Sequence, residues 1–345
     1  MVPKSVATSS VIPNKNGMTA LLIMLGGSIA LLILMALSVT MGAKHIPLSI
    51  FWEAIFNLDR NNMSHMIIVD LRIPRVLASA LVGSAFAVSG AVMQGITRNP
   101  MADSGLLGLN AGAGLALAVC FSFFPQIGYS NVIVISFIGA TIAFFMVNGI
   151  AMFRRGAATP MRIVLAGAAV GALFTALSQG IALYNKVAQN IMFWMAGGVA
   201  GSTWEQIILM SPWICIALIG AIVLSRYISM LNLGEEVAKG LGLNTKLINL
   251  LCSLIVLVLA GTSVSAVGAV GFVGLVVPHV TRFLVGVDYR SIIPASAVLG
   301  AILMVSADLG ARMLNPPFET PVGVLTALVG IPFFLYLSRK QRRAV

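Results

Sequence analysis

The chain has 345 residues, of which 59% are hydrophobic and 9% charged, with a mean hydropathy of +1.01. A soluble domain carries about 25% charged residues to wet its surface, and disorder needs low hydrophobicity with high charge. The composition therefore excludes both a soluble enzyme and a disordered scaffold, and it reads as an all-α integral membrane protein. The net charge of +11, from 21 Lys and Arg against 10 Asp and Glu, would point to nucleic acid in a soluble protein. Here basic loops gathered at one membrane face account for it, and no nucleic-acid partner is expected.

A helix needs roughly 20 apolar residues to cross a bilayer. Runs of that length occupy approximately 18–41, 69–95, 104–124, 131–153, 163–184, 206–225, 247–266, 292–313 and 321–338. A further run, 267–285, is interrupted by Gly268, Gly271, Gly274 and Pro278; counted as a span, it brings the total to about ten. The stretch 187–200 is too short to cross and reads as a half-helix or an interfacial segment. The first run follows Lys4 and Lys15 but is longer than a signal-peptide core of about 7–15 residues, and no small-residue cleavage site closes it. It is expected to stay as a span. The whole chain, 1–345, is read as one transmembrane domain with cytoplasmic tails at 1–17 and 339–345.

Orientation follows from the bases. With the N-terminus inside, 15 of the 21 Lys and Arg fall on the cytoplasmic side, and only Lys44, Arg60, Arg72, Arg75, Lys186 and Arg312 fall outside. That bias puts both termini in the cytoplasm and requires an even number of spans. Small residues recur at helix-packing spacing, as Gly108 with Gly112, Gly167 with Gly171 and Gly197 with Gly201, which lets backbones approach closely in lipid.

No catalytic constellation is present. There is no Gly-x-x-x-x-Gly-Lys phosphate loop, and the Gly268–Gly274 run lacks the strand context of a dinucleotide fold. His45, His65 and His279 are far apart, and Cys120, Cys215 and Cys252 sit in apolar runs, so no metal site is expected. The acids Asp70, Asp103, Glu205 and Asp308 lie near span ends rather than at midplane, where an ion-coupled carrier would place them. Asp103 follows Asn99-Pro100 and suits a helix cap. Asp308 stands four residues before Arg312, on one helical face.

The stretch 225–246, after the sixth span, is polar. Within it Gly234 and Gly240 bracket about one and a half turns, with Glu235 and Glu236 in the first turn, where the helix dipole favours acids. So short a helix buries little of itself and is suited to docking into something else, although an ordinary amphipathic loop has the same composition.

At this point the sequence resembles the permease family of ATP-binding-cassette importers for iron-siderophores, haem and cobalamin, the large type II architecture with ten spans per subunit. The resemblance runs over nearly the whole chain after the first span. It is carried by Arg72-Ile73-Pro74-Arg75, Ser89-Gly90-Ala91-Val92-Met93-Gln94, Asn99-Pro100-Met101-Ala102 and Gly105-Leu106-Leu107-Gly108. Further matches are Gly234-Glu235-Glu236-Val237-Ala238, the 271–279 run from Gly271 to His279, and the Pro321-Val322-Gly323 turn.

The resemblance implies roles for these positions. Gly234, Glu235, Glu236, Val237, Ala238, Lys239 and Gly240 would form the coupling helix that seats in a cytoplasmic ATPase dimer. That dimer, and not this chain, would hold ATP and Mg; this chain would bind no cofactor. Arg72, Arg75 and Arg312 would receive acidic residues of an extracytoplasmic substrate-binding protein or lipoprotein, a task that suits the planar guanidinium. The alternative is pairing within the chain, Asp308 with Arg312 and Asp70 with Arg72 or Arg75. Cytoplasmic gate residues would be Asn99, Pro100 and Met101 with Thr159, Pro160 and Met161, where Pro160 and Met161 depart from the small hydroxyl pattern of some relatives. The pathway would run between two permease subunits, identical or related, within the bacterial cytoplasmic membrane. The expected function is ATP-driven import of a ferric siderophore by alternating access. Haem or cobalamin cargo, and an ATP-independent secondary carrier, are the alternatives.

Overall fold

A computed structural model describes residues 15–42, 46–152, 160–196, 198–315, 318 and 320–342, by backbone alone at 15, 16, 152, 160 and 336–342. Thr159, Gly197 and the tail residues 1–14 and 343–345 lie outside the described residues. In chain order the helices are α1 (Lys15–Thr40), α2 (Leu48–Phe56), α3 (Met63–Met66), α4 (Ile73–Thr97), α5 (Leu109–Phe123), α6 (Tyr129–Met152) and α7 (Pro160–Tyr184). They continue with α8 (Ala188–Ala196), α9 (Trp204–Asn232), α10 (Glu235–Gly240), α11 (Thr245–Val267), α12 (Val273–Val285), α13 (Tyr289–Leu314) and α14 (Val322–Arg342). Among the described residues there is no strand.

Among the described residues, seven segments are long and apolar enough to cross a membrane, and three shorter apolar helices, Leu109–Phe123, Val273–Val285 and Val322–Leu335, stand beside them. These are the ten segments read from hydropathy. The interrupted run resolves into an irregular stretch, 268–272, followed by α12. With 13 residues, α12 is about 20 Å long at 1.5 Å per residue, short of the roughly 30 Å hydrocarbon core. The 187–200 stretch is indeed too short: α8 has nine residues. At the C-terminal end the backbone of α14 runs on to Arg342.

α4 is the centre of the bundle, buried along nearly its whole length and packed against α13, α11, α9 and α12. Glycine makes those crossings possible: an added β-carbon at Gly90 would overlap the backbone of Gly274 on α12, and one at Gly83 would overlap that of Gly300 on α13. Of the small-residue pairs read from spacing, Gly112 packs on Gly139 and Gly167 on the Leu106 carbonyl, whereas Gly171 and Gly201 face open space. Spacing alone does not say which face meets a neighbour. α1 lies at the periphery against α13 and exposes Leu21, Leu22, Leu25, Ile29, Leu32 and Ile33, an apolar surface suited to lipid.

Candidate functional site

Two groups of polar residues stand at opposite ends of the bundle. One end carries the turns after α4, α9 and α12, with Arg98, Arg226, Lys239, Lys246, Arg282 and Arg290 near it. The other carries the end of α1 and the start of α4.

At the second end, α1 stops at Thr40 and leaves carbonyls without an intrahelical partner. Arginines satisfy them. Arg72 Nη1 donates to the carbonyls of Val39 (2.6 Å) and Thr40 (3.0 Å), and Arg312 Nη1 donates to that of Ser38 (3.1 Å). Cations at a helix C-terminus also complement its dipole. Arg75 Nε donates to Asp308 Oδ1 at 2.9 Å, and Arg312 Nη2 pairs with Asp308 Oδ2 at 3.1 Å. Asp308 is fully buried, and the three arginines are only 7–8% exposed. A π-helical turn, Ile67–Arg72, directly before α4 aims Arg72 at α1 while Arg75, one turn on, faces α13.

The structure thus brings Arg72, Arg75 and Arg312 together, but it does not present them outward as three exposed guanidiniums. Their donors meet α1 carbonyls and Asp308 because burial in an apolar bundle demands a partner for every charge. The expected Asp308–Arg312 pair is present. Asp70 is exposed, and the carboxylate that Arg75 meets is Asp308.

At the first end, α9 continues past the hydrophobic core to Asn232, and Gly234, at φ +127°, turns the chain into α10. Glu235 Oε1 meets Lys239 Nζ at 2.9 Å and accepts from Thr245 Oγ1 at 3.3 Å, so α10 is tied to the start of α11. The Lys239 partner holds the Glu235 carboxyl below its ordinary value, and Thr245 and the charge of Arg98 add to this. Ala238 is the fully buried contact of α10, and Glu236, Lys239 and Gly240 are exposed. Leu233, Val237 and Leu241 are 69%, 51% and 62% exposed, which places an apolar ridge on the projecting face. Leu233 and Leu241 escaped the sequence reading: Leu241 follows Val237 at helical spacing, whereas Leu233 ends α9 on the far side of the Gly234 turn.

The loop after α4 is built from local polar contacts. Asn99 Oδ1 accepts from the Met101 N–H (2.9 Å), and Asp103 Oδ1 accepts from the Ser104 N–H (2.6 Å) and caps the turn Ser104–Leu107. Burial raises the Asp103 carboxyl above its ordinary value, against the opposing pull of its Ser104 and Gly105 hydrogen bonds. Its Oδ1 lies at Gly274, where a β-carbon would come within 2.9 Å. The Ser104–Leu107 turn packs on α7 at Gly167, so the 99–103 loop and the start of α7, with Pro160 and an exposed Met161, share one end of the bundle. Also here, and unread from sequence, Gln94 donates to the carbonyls of Gly274 (3.2 Å) and Leu275 (3.4 Å) and accepts from Arg282. Ser229 at the end of α9 donates to Asp288 (2.8 Å) and accepts from the Tyr289 N–H (2.9 Å), which fastens α9 to α13.

Comparison with known proteins matches this architecture. The chain is 48% identical over 326 residues to the iron(3+)-hydroxamate import system permease protein FhuB of Bacillus subtilis, covering 94% of this chain and 85% of that protein. It is 37% identical to the hemin transport system permease protein HmuU of Yersinia pestis, covering 95% and 97%. A solved structure of an inward-facing transporter assigned to the metal-chelate ABC type superposes with a TM-score of 0.81 at 26% identity, covering 92% of this chain and 99% of that one. With residues 30–340 matching the FecCD transport family, the chain belongs to that family of membrane permeases.

Proposed function

We propose that this chain is the membrane-spanning subunit of an importer that moves a ferric siderophore across the bacterial cytoplasmic membrane by alternating access, driven by a separate ATPase. The observation that carries the reading is α10: a short polar helix, pinned by Glu235–Lys239 and Thr245, that projects an apolar ridge on a basic end of the molecule. Such a ridge in water calls for a protein partner, and a cytoplasmic ATPase dimer holding ATP and Mg supplies one. Both termini then lie in the cytoplasm, as the bias of basic residues favours.

At the opposite end the docking partner is an extracytoplasmic binding protein. Three arginines stand against the single carboxylate of Asp308, so this cluster, rather than the face as a whole, carries the excess positive charge for acidic residues to meet. The cytoplasmic gate is formed by Asn99, Pro100 and Met101 with Thr159, Pro160 and Met161. A second permease subunit, identical or related, completes the pathway: α7 exposes Ala168, Ala172, Thr175, Ala176 and Gln179 along one side, small and polar residues ill suited to lipid. The siderophore cargo rests on what the relatives are named for.

The test is the complex in liposomes, assayed for ATP hydrolysis and uptake against a panel of ferric siderophores, haem and cobalamin. A ferric siderophore with its binding protein should stimulate both. Uptake that proceeds without any associated ATPase would overturn the reading in favour of a secondary carrier, and stimulation by haem or cobalamin alone would reassign the cargo.

A further inference from the structure

The loop after α4 and helix α10 approach each other at Arg98. Arg98 ends α4 in the left-handed conformation, φ 51° and ψ 32°, where helices favour glycine because a β-carbon is crowded. Its guanidinium reaches Gly234, the residue that opens α10: a β-carbon built there would lie 4.0 Å from Arg98 Nη1. The charge of Arg98 is also felt by the next residue, Glu235, which Lys239 and Thr245 already hold. On its other side Arg98 leads directly into the Asn99 turn and the Asp103 cap, and through Ser104–Leu107 to α7. One side chain, kept at a position whose backbone prefers glycine, therefore spans the gap between α10 and the loop.

We propose that Arg98 is a positioning residue that ties α10 to the 99–103 loop, so that displacement of one displaces the other. The inference rests on the reading of α10 as the ATPase-facing element and names the residue through which that element reaches the loop. The backbone of residue 98 and the charge of its side chain pull in opposite directions, which separates this role from a merely structural one. Glycine relieves the left-handed strain but removes the tether.

The experiment places nitroxide labels at Gly105→Cys and Gly240→Cys in lipid nanodiscs and measures their separation, alongside substrate taken up per ATP hydrolysed by the assembled complex. With Arg98 present the separation should be a single narrow distribution. Arg98→Gly and Arg98→Gln should broaden it and lower uptake per ATP about fivefold or more, the lower end of ordinary coupling effects. Thermal stability should stay level or rise in Arg98→Gly. Arg98→Lys, which keeps the charge, should retain most of the coupling. A narrow distribution with unchanged uptake per ATP in Arg98→Gly and Arg98→Gln would overturn the proposal. If no ATPase associates even with the unaltered chain, the reading of α10 fails, and the label separation in the chain alone still decides the tether.

Discussion

Asp308→Asn is the substitution whose effect the structure defines best. The carboxylate is fully buried between Arg75 Nε at 2.9 Å and Arg312 Nη2 at 3.1 Å, and both guanidiniums are under 10% exposed. Water therefore cannot take over when the negative charge is removed. Breaking a buried pair from one side costs about 3–5 kcal/mol, because the remaining charge is left uncompensated; here two are left. Glu235→Gln is the internal control. It removes a comparable i,i+4 pair at 2.9 Å, but with side chains 37% and 56% exposed, where such pairs contribute ~0.3–0.5 kcal/mol. Unfolding of the purified protein in mixed micelles should show a loss of several kcal/mol for Asp308→Asn and well under 1 kcal/mol for Glu235→Gln. Adding Arg75→Met to Asp308→Asn should return part of the loss, since one orphaned charge goes with it. A loss below about 1 kcal/mol for Asp308→Asn would refute the claim that this cluster is dry and paired.

Val237→Ser and Leu241→Ser should weaken association with the ATPase about tenfold or more each, from ~1.5–3 kcal/mol per buried side chain, while leaving the chain's own stability unchanged; pull-down against a thermal melt checks both. Gly90→Leu should prevent α4 and α12 from closing on each other at Gly274 and cost at least ~1–3 kcal/mol, read as lost yield of folded protein. The Glu235 carboxyl is held below its ordinary value of 4.5, so the Glu235–Lys239 contribution is present above that value and fades as pH falls through the lower, folded one. A melt series from pH 7 to 3 with Glu235→Gln as reference measures it. Asp103 has the opposite sign: its carboxyl is raised above 3.8 by burial, so its contribution is fullest below that value and declines as pH rises through the folded one. Asp103→Asn should remove that decline.

The spans were legible because hydropathy is local: each apolar run needs no knowledge of its neighbours, and even the interrupted 267–285 run and the short 187–200 stretch announce themselves by their glycines and length. The short helix at 235–240 was legible for the same reason, since Gly234, two acids and Gly240 lie within seven residues. What the chain order hides is pairing over distance. Asp308 was matched to Arg312, four residues away, but its second partner, Arg75, is 233 residues distant. The docking role of Arg72, Arg75 and Arg312 came from the family resemblance, and nothing in the chain order shows that α1 ends beside them with carbonyls to fill. Helix α2 and the π-helical turn Ile67–Arg72 were likewise unread, the first because nine residues are too few to register as a span, the second because one extra residue per turn leaves no mark in composition.

The shortness of α12 bears on how the chain satisfies its backbone groups at membrane depth. A helix of about 20 Å leaves some 10 Å of the hydrocarbon thickness to the irregular 268–272 backbone, where the Ala269 N–H donates to the Met195 carbonyl (3.3 Å) and a β-carbon at Gly268 would crowd the carbonyl oxygens of Trp194 and Met195. Irregular peptide groups persist at membrane depth only against protein or a wet cavity. The 268–272 backbone is therefore held against the end of α8, whose carbonyl at Met195 takes up a donor that a longer α12 would have paired within itself.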